Sequence, residues 1–282
     1  MNLKKYKKIA VLSGGISDER EISILSANAV YRSLKQKYKV EIIDVKGNCL
    51  NFVSKLQKYK PNVVFNCLHG YFGEDGQVQS ILNYLKIPYT HSGVLASALA
   101  MDKRKSKDFF KSVKIDVPKE IDPTLKSQKY FPIICKPING GSSNGIKIFK
   151  TKKELKNFIK VNTNHMNNLM FERFINGREI TVGIINNKVS GVMEIKYSNT
   201  HYDYENKYIN VADHIINPNL GKKILYKLKK VSLKAHKALG CNCISRVDFR
   251  YNEKNQKIYI LEINTQPGLT DNSLIPEMAK EL

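Results

Sequence analysis

The residues best suited to chemistry stand near the end of the 282-residue chain, in positions 244–268, ISRVDFRYNEKNQKIYILEINTQPG. Two runs alternate with period two, which puts Arg246 and Asp248 on one face of the first and Glu262 and Asn264 on one face of the second. The polar stretch 252–257 between them is turn-like, so the pattern predicts an antiparallel hairpin. If Asp248 lies opposite Glu262, Arg246 lies opposite Asn264 in the same register. Two carboxylates then face each other, which is unfavourable unless a cation joins them. Oxygens of Asp, Glu and Asn suit Mg²⁺, which commonly shares its shell with substrate phosphates. A solvated hairpin face is the plain alternative. Arg246 and the Asn-Thr-Gln-Pro-Gly that follows argue against it.

Other candidates lie upstream. Positions 139–145, Asn-Gly-Gly-Ser-Ser-Asn-Gly, sit between two apolar runs. No helix or GK[ST] follows, so this is not a Walker loop. It reads as a flap whose amides and hydroxyls close over phosphates. Ser13-Gly14-Gly15 interrupts the first apolar run, and Glu19 stands at the mouth of that turn, where a carboxylate can hold an ammonium group. His69 ends a later apolar run, either as a structural histidine or as a ligand contact. Glu172 lies on a short strand pattern, and Glu179 starts the next, where it is a surface residue or a partner for ribose hydroxyls. Positions 197–214 are polar, aromatic and irregular, as lids often are.

These groups need elements to hold them. Positions 8–12, 40–45 and 61–68 read as strands alternating with helices near 22–34, 52–59 and 77–85, which is a parallel α/β pattern. Asp18-x-x-Glu21 has the form of a capping box for the first helix. Ligands of such sheets sit beyond the carboxyl ends of the strands. From Ser92-Gly93 the texture changes. A charged helix follows Met101-Asp102-Lys103, then strands over 132–136, 146–149, 169–174, 178–185 and 189–195. A helix over 220–239 precedes the hairpin. The expected division is 1–93, 94–177 and 178–282.

A composition 42% hydrophobic and 26% charged describes a globular chain, long enough to bury a substantial core. No apolar run spans a membrane, and the run after MNLKKYKK is too short for a leader. The net charge of +22 invites a nucleic-acid reading. The lysines are scattered and no nucleic-acid module is present, so the expectation is neither a nucleic-acid nor a membrane partner. Five cysteines without a CxxC fit a reducing, cytoplasmic setting.

Taken in order, the motifs resemble those of the D-alanine–D-alanine ligases of the ATP-grasp superfamily. They are VLSGGISDEREIS (11–23), NCLHGYFGEDGQVQ (66–79), IPYTHSGVLASALAMDK (87–103), CKPINGGSSNGIKI (135–148), FERFINGREITVG (171–183), YDYENKY (202–208), SRVDF (245–249) and LEINTQPGLTDNSLIP (261–276).

The resemblance implies a Rossmann-like N-terminal α/β domain followed by a two-part ATP-grasp fold. It implies that ATP phosphorylates one D-alanine and that a second attacks the acyl phosphate, giving D-alanyl-D-alanine for peptidoglycan. By the same resemblance Lys103, Lys136, Ser142 and Ser143 hold phosphates. Glu172, with Arg173, Phe174 and Ile175 after it, meets adenine, and Glu179 meets the ribose. Asp248, Glu262 and Asn264 hold two Mg²⁺, with Mn²⁺ as an alternative ion. Glu19 and His69 face the first D-alanine, Arg246 and the Gly268 amide form an oxyanion hole, and Ser273 and Leu274 take the second carboxylate. Lys207 reaches the γ-phosphate, and Tyr208 closes a set with Glu19 and Ser142. In the family that tyrosine accompanies D-alanine as second substrate. A homodimer is also implied.

The sequence departs from the family pattern in three places. Asn139-Gly140 stands where charge is common, 103–136 is short, and the chain stops at Glu281-Leu282 where a further helix is expected. Every motif precedes that end. The alternatives are a ligase of different amino-acid or hydroxy-acid specificity, or a truncated form that binds ATP without turnover.

Overall fold

The first apolar run forms β1 (Lys8–Gly14), flanked in parallel by β2 (Lys39–Val45) and β3 (Val63–Asn66). Parallel neighbours need crossover connections. Helices α1 (Arg20–Leu34) and α2 (Cys49–Tyr59) provide them, with α3 (Gln77–Tyr84) following β3. Leu12, Ile43, Phe52, Leu56 and Leu68 pack together in this unit. This computed structural model describes residues 6–124, 128–141, 145–196 and 213–280. Ser142, Ser143, Lys207 and Tyr208, and positions 197–212 of the predicted lid over 197–214, lie outside the described residues, while Asp213 and His214 begin a strand.

Two further sheets follow. Strands β4 (Ile133–Pro137), β5 (Lys147–Phe149) and β6 (Leu169–Arg173) form an antiparallel sheet in the order β5-β4-β6, with α6 (Lys152–Val161) beside it. Strands β7 (Arg178–Ile185), β8 (Lys188–Lys196), β9 (Asp213–Ile216), β10 (Ile244–Asn252) and β11 (Lys257–Asn264) form the largest, in the order β11-β10-β7-β8-β9. The hairpin takes the predicted register, Asp248 opposite Glu262 and Arg246 opposite Asn264, with a bulge just after Asp248. Val247, Phe249 and Ile180 share a core with Leu228 of α7 (Lys222–Ala238). The alternating residues Arg246, Asp248 and Thr181 therefore point to the other face, where α8 (Leu274–Ala279) packs through Ile275 and Met278.

Gly177 joins the two antiparallel sheets. Its backbone is left-handed (φ +140°), and a Cβ there would overlap the Tyr251 carbonyl oxygen. Only glycine lets β7 leave the turn so close to β10.

Three expectations need correction. No capping box forms at Asp18–Glu21: α1 begins at Arg20, and Glu19 stands at the N-cap without a side-chain cap bond. The inward face of α1 is Ser23, Ser26, Ala27 and Val30, whereas Ile22 and Leu25 are exposed. Small residues let this helix approach β1, and Ser26 is needed inside as a hydrogen-bonding group. Helices α4 (Val94–Met101) and α5 (Lys103–Ser112), grouped in the sequence with the small antiparallel sheet, place Ala96, Ala100 and Phe110 in the core of the five-stranded sheet. Residues 94–177 thus do not share one core.

All five cysteines are free, and burial pushes the Cys135 and Cys241 thiols up to about 12. Among the described residues, no helix is long and apolar enough to cross a membrane.

His91 gives the fold a pH dependence. It is buried, hydrogen-bonded to Thr90 Oγ1 at 2.8 Å and packed edge-on against Phe65. Burial, then the nearby His69, lowers its pKa from 6.5 to about 3. Between those values the unfolded chain binds a proton that the folded chain refuses, so stability falls as pH drops below 6.5. The slope approaches about 1.4 kcal/mol per pH unit from this group. Urea unfolding from neutral to mildly acidic pH should show the loss, and His91→Asn, which tolerates the positive φ, should flatten it. Equal acid sensitivity in the two proteins would refute this.

Candidate active site

The opposed carboxylates of the hairpin are surrounded by cations from three elements. Asp248 Oδ1 accepts from Thr181 Oγ1 at 2.6 Å and from Arg246 Nε at 2.9 Å, and its Oδ2 accepts from Arg246 Nη2 at 2.7 Å. Glu262 lies 3.4 Å from the ammonium of Lys103, the first residue of α5. Burial alone would raise the Glu262 pKa, but Lys103, Lys136 and Arg246 together hold it down at about 2. Arg246 is buried too, yet Asp248 and Glu262 raise its pKa, so it stays charged. Asn264 completes the row, its Oδ1 accepting the Gln266 amide at 2.7 Å.

Opposite the hairpin stands the small antiparallel sheet. Lys136 projects from β4, and its ammonium lies 2.8 Å from Glu172 Oε2. Burial opposes its charge, but Glu172 and Glu262 outweigh burial and raise its pKa. The other Glu172 oxygen accepts from Lys107 of α5. Burial, and then the Lys136 ammonium, pushes Lys107 well below the usual lysine range. The two lysines hold Glu172 below the usual carboxylate range despite its burial. Lys103 also donates to the Gly140 carbonyl, at the start of the glycine-serine flap.

A cavity of about 520 Å³ adjoins this sheet, lined among others by Phe131, Ile148, Phe174, Ile175 and Tyr259, with Arg173 at its edge. Ile148 and Glu172 are both register partners of Ile134, two residues from Lys136, so all face the same way. The volume is that of a small-molecule site, apolar with charged groups at one side. Glu179 is paired with Arg250 at 3.0 Å, and that guanidinium lies 6.0 Å from the centre of the Phe174 ring.

The N-terminal unit reaches the site through the loop after β11. Gln266 donates its side-chain amide to the Asn66 carbonyl, and Asn66 Nδ2 donates to the Gly73 carbonyl at 3.0 Å. Leu269 N donates to Ser26 Oγ at 3.2 Å, and the same hydroxyl lies 3.4 Å from His69 Nε2. His69 is buried, which lowers its pKa. Glu19 lies between two glycines: a Cβ on Gly70 or Gly141 would stand 3.2 or 3.6 Å from a Glu19 oxygen. Gly141 is the last described residue before Ser142. Ser273 Oγ bonds Thr270 Oγ1 at 2.6 Å and would stand 2.9 Å from a Cβ on Gly268, and Leu274 follows as the first residue of α8.

The structure therefore gathers Lys103, Lys136, Glu172, Arg246, Asp248, Glu262 and Asn264 into one cleft. Glu172 meets two lysines there, and Glu179 meets Arg250. Sequence reasoning missed Lys107, Thr181 and Glu74. Lys107 is one helical turn after Lys103, so its spacing was a usable signal. Glu74 lines the same cleft as Glu262 and Asn264, and burial, then Glu19, pushes its pKa up to about 8. Nothing in the sequence marked Thr181, because its partner comes from another strand.

The oxygen donors of Asp248, Glu262 and Asn264 fit a hard divalent cation. Among the described residues, no three His, Cys, Asp or Glu converge on a metal-sized site.

A cleft between two antiparallel sheets, with Lys136 of one facing an acidic hairpin on the other and the lysines of α5 beside them, defines an ATP-grasp fold. The comparisons agree. The family model described as D-ala D-ala ligase C-terminus matches residues 98–282, and the N-terminal model matches 50–92. A D-alanine–D-alanine ligase of Pelagibacter ubique is 46% identical over 97% of this chain and 92% of its own length. The ligase of Bacillus anthracis complexed with ATP superposes with a TM-score of 0.83 at 29% identity, over 96% of this chain and 90% of that one. The VanG D-Ala:D-Ser ligase of Enterococcus faecalis superposes at 0.79 with 28% identity, over 98% and 95%. The chain belongs to the D-alanine–D-alanine ligase family.

Glu262 is the common partner of three cations, so Glu262→Gln should be costly. ATP-dependent turnover should fall on the order of 100-fold or more, the scale of a lost transition-state contact. Steady-state rates across a divalent-cation titration would measure it, and near-native turnover would refute the assignment.

Proposed function

We propose that this protein joins two molecules of D-alanine at the expense of ATP. The observation that carries the reading is the paired Asp248 and Glu262 in register, facing Lys136 across the cleft. Phosphoryl transfer asks for positioning and charge neutralisation above all. In the first step the carboxylate of one D-alanine takes the γ-phosphoryl group and ADP leaves. In the second, the amine of another D-alanine attacks that carbonyl, loses a proton, and phosphate departs.

The proposed roles are those that the family resemblance implies, and the geometry described above supports several of them. Lys103 and Lys136 carry the charge of the phosphates, and Ser142 and Ser143 join them from the flap. Arg173, Phe174 and Ile175 line a cavity of purine size, Glu172 beside them is assigned to adenine and Glu179 to the ribose. Asp248, Glu262 and Asn264 hold Mg²⁺, which when bound supplies charge neutralisation to the phosphates. Glu19 takes the first ammonium, and His69 supports that pocket. Arg246 and the Gly268 amide stabilise the oxyanion of the tetrahedral intermediate. Ser273 and Leu274 receive the second carboxylate. Lys207 and Tyr208 complete the closed site. Five free thiols suit a cytoplasmic protein.

Phosphate release should depend on D-alanine, ATP and Mg²⁺ together, with D-alanyl-D-alanine identified by mass spectrometry. D-serine, D-lactate and L-alanine should be poor second substrates. ATP hydrolysis indifferent to D-alanine, or a preferred D-serine product, would overturn the assignment.

A homodimer is the proposed assembly. Exposed Tyr84 and Leu95, on the neighbouring helices α3 and α4, offer it apolar surface. Sedimentation velocity at micromolar concentration should find two copies, and a monomer alone would refute it.

A further inference from the structure

Lys107 is a buried lysine to which the reaction above gives no task. It lies four residues beyond Lys103 on α5, so both project from one face of that helix. Its side chain is only 3% exposed and its ammonium donates to Glu172, whose side chain is 1% exposed. Lysines are rarely buried this far, and burying one is costly unless it is paired. Glu172 already has a partner in Lys136, at 2.8 Å on its other oxygen. One carboxylate needs only one ammonium for charge balance, so the second lysine calls for another explanation.

Counting donors provides it. An ammonium has three protons to donate. A carboxylate free to turn could take Lys136 with both oxygens and occupy two of them. With one oxygen held by Lys107, Glu172 meets Lys136 through the other alone. Lys107 also stands beside Lys136 and closes off that side, so what remains of the Lys136 ammonium is left for the cleft, where Lys103 and the Gly140 turn also lie.

We propose that Lys107 is a positioning residue for nucleotide binding: it restricts Glu172 to a single-oxygen contact with Lys136 and so keeps Lys136 directed at phosphate. This rests on ATP being the nucleotide of the proposed reaction. Lys107 itself touches neither phosphate nor amino acid. Its influence should therefore fall on ATP affinity and leave D-alanine recognition alone.

The test compares wild type with Lys107→Met and Lys107→Arg by calorimetric titration with MgATP in the absence of D-alanine. Thermal midpoints and the KM for D-alanine are read beside it. Lys107→Met should weaken ATP binding roughly tenfold, about 1.4 kcal/mol, with the D-alanine KM unchanged. Lys107→Arg restores a donor to Glu172 and should recover most of the affinity. Native ATP affinity in Lys107→Met, even with a lowered thermal midpoint, would mean that Lys107 only supports the fold, and the inference would fail. Should Lys107→Met not fold, Lys107→Gln, a weaker donor, should lose ATP affinity roughly threefold, and native affinity there would also overturn it. A wild-type protein that binds ATP but does not couple D-alanine refutes the reaction without touching this inference. A wild-type protein that binds no ATP overturns both.

Discussion

Two carboxylates placed opposite each other on neighbouring strands repel, and the cleft is built around that repulsion. Asp248 and Glu262 are held in this relation by the backbone register of β10 and β11. The hairpin cannot relieve it by turning one side chain away, because the alternate face is filled by Val247, Phe249 and Ile263. Compensation therefore comes from outside the pair. Arg246 folds back on Asp248 from the same strand, and Lys103 arrives from the start of a helix. Lys136 adds its charge from the opposite sheet. A charge problem local to one hairpin thus ties three elements together. It also leaves a site where a bound cation and a polyphosphate can exchange partners with groups already in place.

The same logic governs the lysines across the cleft. Buried cations persist only where a carboxylate meets them. Glu172 serves two at once, and the arrangement joins α5 to the β5-β4-β6 sheet through its side chain. Because α5 also packs against the five-stranded sheet through Phe110, this helix links the two walls of the cleft. Polar contacts of another kind bring in the N-terminal unit. The amide of Gln266 and the hydroxyl of Ser26 bind backbone groups across the interface, and Ser26 also meets His69, which ties His69 to the loop carrying Gly268 and Ser273. Hydrogen bonds to buried backbone are costly to lose, and so they hold orientation well.

Much of the hairpin was legible beforehand. Alternation with period two told which residues share a face, whereas the pairing of Asp248 with Glu262 needs the bulge after Asp248 that only the structure shows. The strands over 178–185 and 133–137 and the helix over 222–238 were legible for the same reason, since periodicity is a local property. The helix α1 was legible as a helix, but its buried face was not. Its apolar residues Ile22 and Leu25 point outward, because close approach to β1 favours Ser23, Ser26 and Ala27. Helical spacing shows that one face is buried, and which face depends on the shape of what it meets. The capping-box pattern failed similarly, as the helix begins one residue later than the pattern required, with Glu19 at the N-cap.

By itself the sequence determined the order of the elements, which hairpin residues share a face, the identity of the acidic and basic groups, and the resemblance that placed the chain in its family. Each of these depends on neighbours within a few residues, or on motif order. The tertiary structure decided who meets whom. It set Glu172 between Lys107 and Lys136, gave Glu179 to Arg250, placed Thr181 under Asp248, and packed α4 and α5 on the larger sheet. Those pairings join residues as far as 71 positions apart, as Glu179 and Arg250 are. No periodicity carries information over such a distance. Only packing, which puts each charge where burial would otherwise forbid it, selects the partner.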